Sequence, residues 1–275
     1  MSGDRSAPPE VIVLAGGDGS VTSRLVQVVA KLTSVRMGPY AVIGGLAVSC
    51  RLAQAHRATG DVDTLVETTN PTALQRITAA FGHRDPDSGT LTVDGVKVDL
   101  ISTEAINSDD LDGIDGPDRL FVAGHRYALE SATVATVVAG TGTDAPSASF
   151  PIATPAGLIG TKIHALQSRP DRNSPKRSTD LYDIYRLAVA HHDVIVVALR
   201  SAPFDLDQLV VKALHETVLN DPTRAVRPLR LSDDVALNML TADDLVDVLG
   251  RLTDDLASGQ DPNDDRSSHE VARGP

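Results

Sequence analysis

The segment YAVIGGLAVSCRLAQAHRATGDVDTLVE, residues 40–67, decides the fold of this chain. Its pattern predicts a strand over 40–43, a turn at Gly44 and Gly45, a helix over 46–56 and a second strand over 61–67. Asp61 and Asp63 on the second strand share one face, because side chains two residues apart point the same way. Neighbouring carboxylates repel each other and raise each other's pKa. The pair therefore either faces water or holds a cation.

A third carboxylate follows in TLTVDGVKVDLIS, residues 90–102, which predicts two short strands around an Asp94-Gly95 hairpin turn. Asp99 lies between Val98 and Leu100 in an apolar strand, where an isolated carboxylate would be costly to bury. A bound metal removes that cost. Glycines at the start of a helix also let phosphates approach the backbone N–H groups. Three carboxylates next to such a turn are typical of a two-metal site for phosphoryl or nucleotidyl displacement.

The rest of the chain predicts a mixed N-terminal half and a helical C-terminal half. A strand near 10–17, helices over 20–35 and 70–82, and further strands within 119–138 surround the decisive segment, and 139–149 has the composition of a loop or linker. Helices are then predicted over 156–169, 173–192, 205–220 and 241–257. We expect an α/β (α+β) core domain with a mixed sheet over 1–150, a helical domain over 151–258 and a disordered tail over 259–275.

Bulk composition sets wide limits. The chain has 275 residues, 41% of them hydrophobic, one cysteine and a formal net charge of −12. The single cysteine excludes an intramolecular disulfide and a multi-cysteine metal site. The charge argues against broad, non-specific binding of nucleic acid but leaves room for a local basic groove. With neither a long apolar run nor a signal-peptide pattern at its start, the sequence predicts a cytoplasmic protein that does not enter a membrane.

Two motifs resemble the polymerase-β-like nucleotidyltransferase superfamily, and within it the AbiEii-type and MenT-like toxins of toxin–antitoxin systems. The first is GGLAVSCRLAQAHRATGDVDTLV, with Gly-Gly, a short helix and Asp-x-Asp; the second is GTKIHALQSRPDRNSPKRSTDLYDIYRL. Together they cover residues 38–190, with Asp99 between them. The second motif departs from the frequent Arg-Asp pair by Ser178-Thr179-Asp180. In the first, Gly45 follows Gly44 where members commonly have Ser or Thr.

The resemblance implies a role for each matching residue. Gly44 and Gly45 would cradle the triphosphate of an NTP, and Asp61 and Asp63 would ligate Mg²⁺ or Mn²⁺. Asp99 would complete the metal site and assist deprotonation of an acceptor hydroxyl. The further residues that the resemblance assigns are Lys162 at the triphosphate and Asp180 as a later catalytic acid. Arg57, just before the Asp-x-Asp strand, is a candidate nucleotide-binding residue or a neutralising partner of the aspartates.

The acceptor that the resemblance implies is RNA, in particular a tRNA 3′ end, with a cognate antitoxin as possible partner. Candidate RNA contacts are Arg169, Arg172, Lys176, Arg177 and Arg186, and separately Arg224, Arg227 and Arg230. Two alternatives stay open: a small-molecule, aminoglycoside-like nucleotidyltransferase, which the acidic charge would suit, and an inactive nucleotide-binding or partner-binding member of the fold. For Lys162, Asp180 and Asp183, a solvated helix face with an i,i+4 pair of Lys176 and Asp180 is an equal explanation.

Overall fold

The computed structural model describes residues 9–17, 19–35, 38–54, 59–67, 71–82, 85, 90–103, 111, 113–114, 116–169, 174–232 and 234–258. Arg57, Arg172 and the predicted tail over 259–275 lie outside the described residues. Within them, no helix is long and apolar enough to cross a membrane.

A mixed seven-stranded sheet forms the centre of the fold, in the order β1-β6-β7-β2-β3-β5-β4. The strands are β1 (Glu10–Leu14), β2 (Tyr40–Ile43), β3 (Asp61–Glu67), β4 (Thr90–Val93), β5 (Val96–Thr103), β6 (Thr133–Ala139) and β7 (Ser147–Ile152). Three neighbouring pairs run parallel, namely β1 with β6, β7 with β2, and β3 with β5. The predicted α/β class with a mixed sheet is confirmed.

The helices of the first half lie between the strands, in segments whose apolar residues recur about every 3.6 residues. They are α1 (Val21–Ser34), α2 (Gly44–Arg51), α3 (Pro71–Phe81) and α4 (Gly116–Glu130). Residues 119–138 do not add strands throughout, as their composition suggests, because α4 occupies the first part and only β6 is a strand. The segment 139–149 is the connection of the β6–β7 hairpin and the start of β7, so it stays within the sheet.

The second half is helical, as expected. It contains α5 (Pro155–Ser168), α6 (Pro175–Arg200), α7 (Leu206–Leu214), α8 (Pro222–Val226), α9 (Val235–Asn238), α10 (Ala242–Leu245) and α11 (Arg251–Ser258). Short π-helical turns lie at His215–Leu219 and Val246–Gly250, and a 3₁₀ turn at Leu229–Leu231. Thr154 caps α5 by accepting a hydrogen bond from the Gly157 N–H, with Pro155 in the first turn. The helix α6 is interrupted by non-helical backbone at His191.

One buried hydrophobic cluster runs through both halves, from Ile12 in β1 to Leu256 in α11. The last strand, β7, ends at Ile152 and its neighbour α5 begins at Pro155, so the change from sheet to helices falls next to the predicted boundary at 150. The division into two domains stays a prediction. For the site, the important consequence is that α5 and α6 pack at the end of the sheet where β2 passes into α2.

Candidate active site

Sheet register brings the three predicted aspartates together. In the parallel pairing of β3 with β5, Asp63 lies directly beside Asp99. Asp61 is two residues earlier on β3 and therefore points to the same face. One carboxylate oxygen from each of Asp61, Asp63 and Asp99 lies within 4.8 Å of the others, and all three residues are partly exposed. Oxygen atoms at this spacing can share a divalent cation.

Gly44 forms the floor on which the Asp63 carboxylate rests. Its φ of +70° lies in the left-handed region, and a Cβ added there would be 1.8 Å from Asp63 Oδ2. The absence of a side chain thus lets the carboxylate lie against the backbone where α2 begins. Gly45 follows in the buried first turn of the same helix. The predicted helix over 46–56 begins at Gly44 and ends at Arg51, so the glycines belong to its first turn.

The outer two carboxylates each accept a hydrogen bond from a threonine. Thr59 Oγ1 donates to Asp61 Oδ1 at 3.2 Å, and Thr90 Oγ1 donates to Asp99 Oδ1 at 2.6 Å. A cation also approaches this side, because Lys176 Nζ is 3.8 Å from Asp61 Oδ2. The lysine therefore faces the aspartate group across the site, and the sequence-based alternative that pairs it with Asp180 is not what the structure shows.

The surroundings of Asp63 disfavour the charged form of its carboxylate. Burial, and then the charge of Asp61, raise its pKa to about 6, while the Lys162 ammonium opposes the rise. A carboxylate that is desolvated and repelled by its neighbours is stabilised in its charged form by a divalent cation. The arrangement of three oxygen donors around such a carboxylate therefore fits the Mg²⁺ or Mn²⁺ expected from the sequence.

A buried ion-pair network stands behind Asp63. Lys162 Nζ on α5 contacts Asp180 Oδ1 at 2.7 Å and Asp183 Oδ2 at 2.8 Å, both on α6. Arg169 Nε donates to the other oxygen of Asp180 at 2.8 Å. The side chains of Lys162, Asp180 and Asp183 are 8%, 5% and 0% exposed, which rules out a solvated helix face for them. The network fixes the Lys162 charge next to the aspartate group.

A cavity of about 280 Å³ opens beside Asp63, lined among others by Gly44, Lys162 and Asp180. Its far wall consists of three rings that the sequence does not single out for function: Phe121, His125 and His164. Phe121 and His125 are spaced i,i+4, which would place them on one face of a helix. The sequence pattern predicts strands within this segment and so does not group them. No other histidine is spaced in the sequence to share a zinc ion with His164, and this leaves other roles for His164 open.

The predicted arginine groups are partly joined by the fold. Arg177, Arg224 and Arg227 line one cavity of about 310 Å³, together with acidic Glu216 and Asp221. Arg177 Nη1 donates to the Leu166 carbonyl at the end of α5. Arg186 instead contacts the Tyr182 hydroxyl at 3.0 Å, and Arg230 is exposed on the 3₁₀ turn. The two arginine groups separated in the sequence thus meet beside α6.

The mixed sheet, the glycine turn into α2 and the Asp-x-Asp strand agree with the nucleotidyltransferase fold expected from the sequence. The family described as "Nucleotidyl transferase AbiEii toxin, Type IV TA system" matches residues 34–258. Since the match spans most of the chain, this protein belongs to that family, and the predicted resemblance is confirmed.

Several solved structures are similar to this chain. ANT(2")-Ia in complex with adenylyl-2"-tobramycin is 14% identical, with a TM-score of 0.40, over 63% of this chain and 93% of that chain. An antigenic nucleotidyltransferase-like protein from Paracoccidioides brasiliensis is 19% identical, TM-score 0.43, over 81% and 94%. JHP933 from Helicobacter pylori is 13% identical, TM-score 0.39, over 86% and 94%. No curated protein matches the sequence.

Proposed function

We propose that the protein transfers an NMP from an NTP to a hydroxyl of RNA, the 3′ end of tRNA, as the toxin of a type IV toxin–antitoxin pair. The observation that carries the transferase chemistry is the meeting of Asp61, Asp63 and Asp99 on one sheet face beside Gly44. The proposed protein partner is the cognate antitoxin of the pair, since the family description names such a system.

In the proposed reaction the acceptor oxygen attacks the α-phosphorus of the NTP, the bond to the bridging oxygen breaks and pyrophosphate leaves. Asp61, Asp63 and Asp99 would hold Mg²⁺, which supplies charge neutralisation at the phosphates and lowers the pKa of a bound hydroxyl. Asp99 accepts the proton that the hydroxyl loses. The backbone N–H groups at Gly44 and Gly45 face the phosphates, where the positive end of the α2 dipole favours anions.

Lys162 is proposed to stabilise the charge that develops on the leaving pyrophosphate. Its ammonium reaches the cavity beside Asp63 and is held by Asp180 and Asp183. A cation that is fixed before the reaction needs no reorganisation in the transition state, which is the main source of electrostatic catalysis. Asp180 is therefore proposed as a positioning residue, with Asp183, which the sequence does not assign to the site, acting alongside it.

RNA as the acceptor is supported by the position of the cations. Lys176 lies 3.8 Å from Asp61, and the next residue, Arg177, lines the cavity that also holds Arg224 and Arg227. A polynucleotide entering the site would thus meet Lys176 and Arg177 at the start of α6 and the arginines of the neighbouring cavity beyond them. Arginine is well suited to this task because its planar guanidinium binds phosphate through two parallel hydrogen bonds.

A cationic small molecule is the second candidate acceptor, because the chain carries a net charge of −12. Long-range attraction from an acidic protein favours a polyamine-like substrate over a polyanion. Competition between tRNA and an aminoglycoside for the same labelled NTP separates the two acceptors. Growth arrest on expression that Asp63→Ala abolishes would exclude the third alternative, an inactive member of the fold.

The test is incubation of purified protein with Mg²⁺, each α-³²P-labelled NTP in turn and total bacterial tRNA. Label is expected in tRNA with the wild type and one preferred NTP, and not with Asp61→Ala. Omission of divalent metal with EDTA should remove the label as well. Binding of NTP without label in tRNA would reject RNA as the acceptor, and absence of both transfer and NTP binding would reject the proposed enzyme activity.

A further inference from the structure

Three rings form a connected wall of the cavity beside Asp63. Phe121 and His125 lie one turn apart on α4, with ring centroids 4.2 Å apart, and His164 on α5 is 5.0 Å from Phe121 and 5.4 Å from His125. Phe121 and His164 are partly exposed, whereas His125 is 4% exposed. Gly44 and Asp63 line the same cavity, so the rings and the proposed phosphate site share one open cleft.

The helices α4 and α5, which carry the three rings, pack closely against each other. That interface is made by small residues, since a Cβ on Gly124 would lie 3.2 Å from the Gly160 carbonyl carbon, and one on Gly157 would lie 2.8 Å from Ala128 Cα. The two helix backbones therefore approach each other closely at the glycines. The rings line the cavity beside this contact.

The state of His125 adds a polar handle to the wall. Burial lowers its pKa to about 4, so the imidazole is neutral at physiological pH. Its Nδ1 is 2.7 Å from the Phe121 carbonyl oxygen and donates to it, because a carbonyl can only accept. Nε2 is therefore the unprotonated nitrogen and accepts hydrogen bonds. A neutral ring with one acceptor, beside two further rings, suits a flat heteroaromatic ligand with N–H groups on its edge.

We propose that this cavity binds a nucleobase, stacked against Phe121 and His164, when the phosphates of the same nucleotide lie at Gly44 and the aspartates. The inference rests on the proposed function and names the part of the site that contacts the base. Base–aromatic stacking tolerates all four bases because each has a π face. The hydrogen bond to His125 Nε2 would orient the base edge, since every nucleobase carries an N–H donor.

The test compares two probes by calorimetry, the four NTPs and inorganic tripolyphosphate, each with Mg²⁺ and the full-length protein. Phe121→Ala and His164→Ala are expected to weaken binding of the preferred NTP about fivefold or more, the usual range for loss of base stacking. The tripolyphosphate Kd should stay within about twofold of wild type, because this probe has no base. Phe121→Tyr keeps a ring and should restore NTP binding.

The matched control is Val122→Ala, the next residue on α4, which does not line the cavity. It should bind both probes like the wild type, and thermal melting identifies any variant that fails to fold. A rise in KM for the RNA acceptor alone would assign the base to the terminal nucleotide of the acceptor and overturn the inference for the NTP. Unchanged NTP binding and unchanged acceptor KM in both ring variants would also overturn it and leave the transferase intact. If the wild type binds neither the NTPs nor tripolyphosphate, both this inference and the proposed function are overturned.

Discussion

At the scale of single residues, Gly44 is tightly constrained, both in the space for a side chain and in its backbone conformation. A side chain there would collide with the Asp63 carboxylate, and the φ of +70° is unfavourable for any L-residue with a Cβ. We predict that Gly44→Ala abolishes nucleotidyl transfer and lowers metal affinity at least about tenfold, because an Asp63 shift of about 1 Å disturbs the reacting geometry. Transfer assays and Mn²⁺ titration measure both effects.

Gly38 offers the matched control for this variant. It also has a positive φ, +84°, but no atom lies within 4 Å of an added Cβ. Gly38→Ala should therefore lose about 1 kcal/mol of stability from the backbone conformation alone and keep its activity. Equal activity in the two alanine variants would show that the contact with Asp63 has no functional weight.

His125 predicts a pH dependence of stability. Burial lowers its pKa to about 4 in the folded protein, from an ordinary value of 6.5. Between these values the unfolded chain binds more protons, so the stabilisation is complete above pH 6.5 and is lost as the pH falls towards 4. When the pH is lowered from about 7 to about 4, the free energy of unfolding of His125→Phe should fall by about 2 kcal/mol less than that of the wild type. Urea unfolding at several pH values measures this difference.

The control for the pH experiment is His215→Ala, since His215 is exposed on the π-helical turn. Its unfolding free energy should follow the wild-type curve. If the His125→Phe curve does so too, the imidazole is not held neutral by its surroundings, and the acceptor role assigned to Nε2 fails with it.

At the scale of elements, the contact between α5 and α6 depends on a buried charge. Lys162 neutralises two carboxylates of α6 that are almost fully buried. We predict that Lys162→Met destabilises the protein by about 3–5 kcal/mol, because it removes the ammonium from two almost fully buried carboxylates and leaves Asp180 with only the Arg169 ion pair. Denaturant unfolding measures this destabilisation, and nucleotidyl transfer should disappear.

A triple variant separates the two roles of Lys162. Adding Asp180→Asn and Asp183→Asn to Lys162→Met removes the three buried charges together and should recover most of the stability, since the remaining charge of Arg169 is partly solvated. The proposed contribution of the ammonium to the leaving pyrophosphate would still be missing. A stable triple variant with normal transfer would restrict Lys162 to a structural role.

The same scale shows what the sequence can predict. Strand periodicity is enough to place Asp61 and Asp63 on one face, and the glycine turn identifies the start of α2. Asp99 joins the pair through the parallel register of β3 and β5, which periodicity alone does not give. A strand is expected within 119–138 and β6 provides it, but the helix α4 in the first part of this range is not predicted. The buried positions there have helical spacing: Leu120, Ala123, Gly124 and Ala128. Because this helical period is not recognised in the sequence, neither α4 nor the rings that it carries are predicted.

Pairing between distant segments is the part that the sequence could not supply. Asp180 has an equally good local partner in Lys176, at helical spacing. Its actual partner, Lys162, lies on a different helix, and only the packing of α5 on α6 reveals it. The union of Arg177 with Arg224 and Arg227 depends on the same kind of long-range packing.

At the scale of the whole molecule, an acidic protein is proposed to bind a polyanion through a local basic surface. We predict that replacing Arg177, Arg224 and Arg227 by Gln raises the KM for tRNA at least about tenfold, because each guanidinium that neutralises a phosphate contributes to RNA affinity. The slope of log K against log salt should also fall by about 0.7–0.9 for every phosphate that the variant no longer neutralises. Steady-state assays at several salt concentrations give both quantities.

A control of equal charge distinguishes local binding from the overall field. Arg24, Arg76 and Arg251 are exposed and do not line the arginine cavity. Their joint replacement by Gln changes the net charge by the same amount and should leave the KM for tRNA within about twofold, since isolated surface charges are screened at physiological salt. An equal rise in KM in both variants would indicate that total charge, and no particular surface, governs RNA association.

The order of the strands also has a consequence for the synthesis of the protein. β1 is synthesised before the other described strands, yet its neighbour in the sheet is β6, whose residues end at Ala139. The three aspartates are all made by residue 99, whereas the lysine that neutralises the site and the carboxylates that hold it come at 162–183. A nascent or prematurely terminated chain therefore carries the metal ligands without the cation behind them. Under the proposed mechanism, toxicity is confined to chains whose synthesis has passed α6.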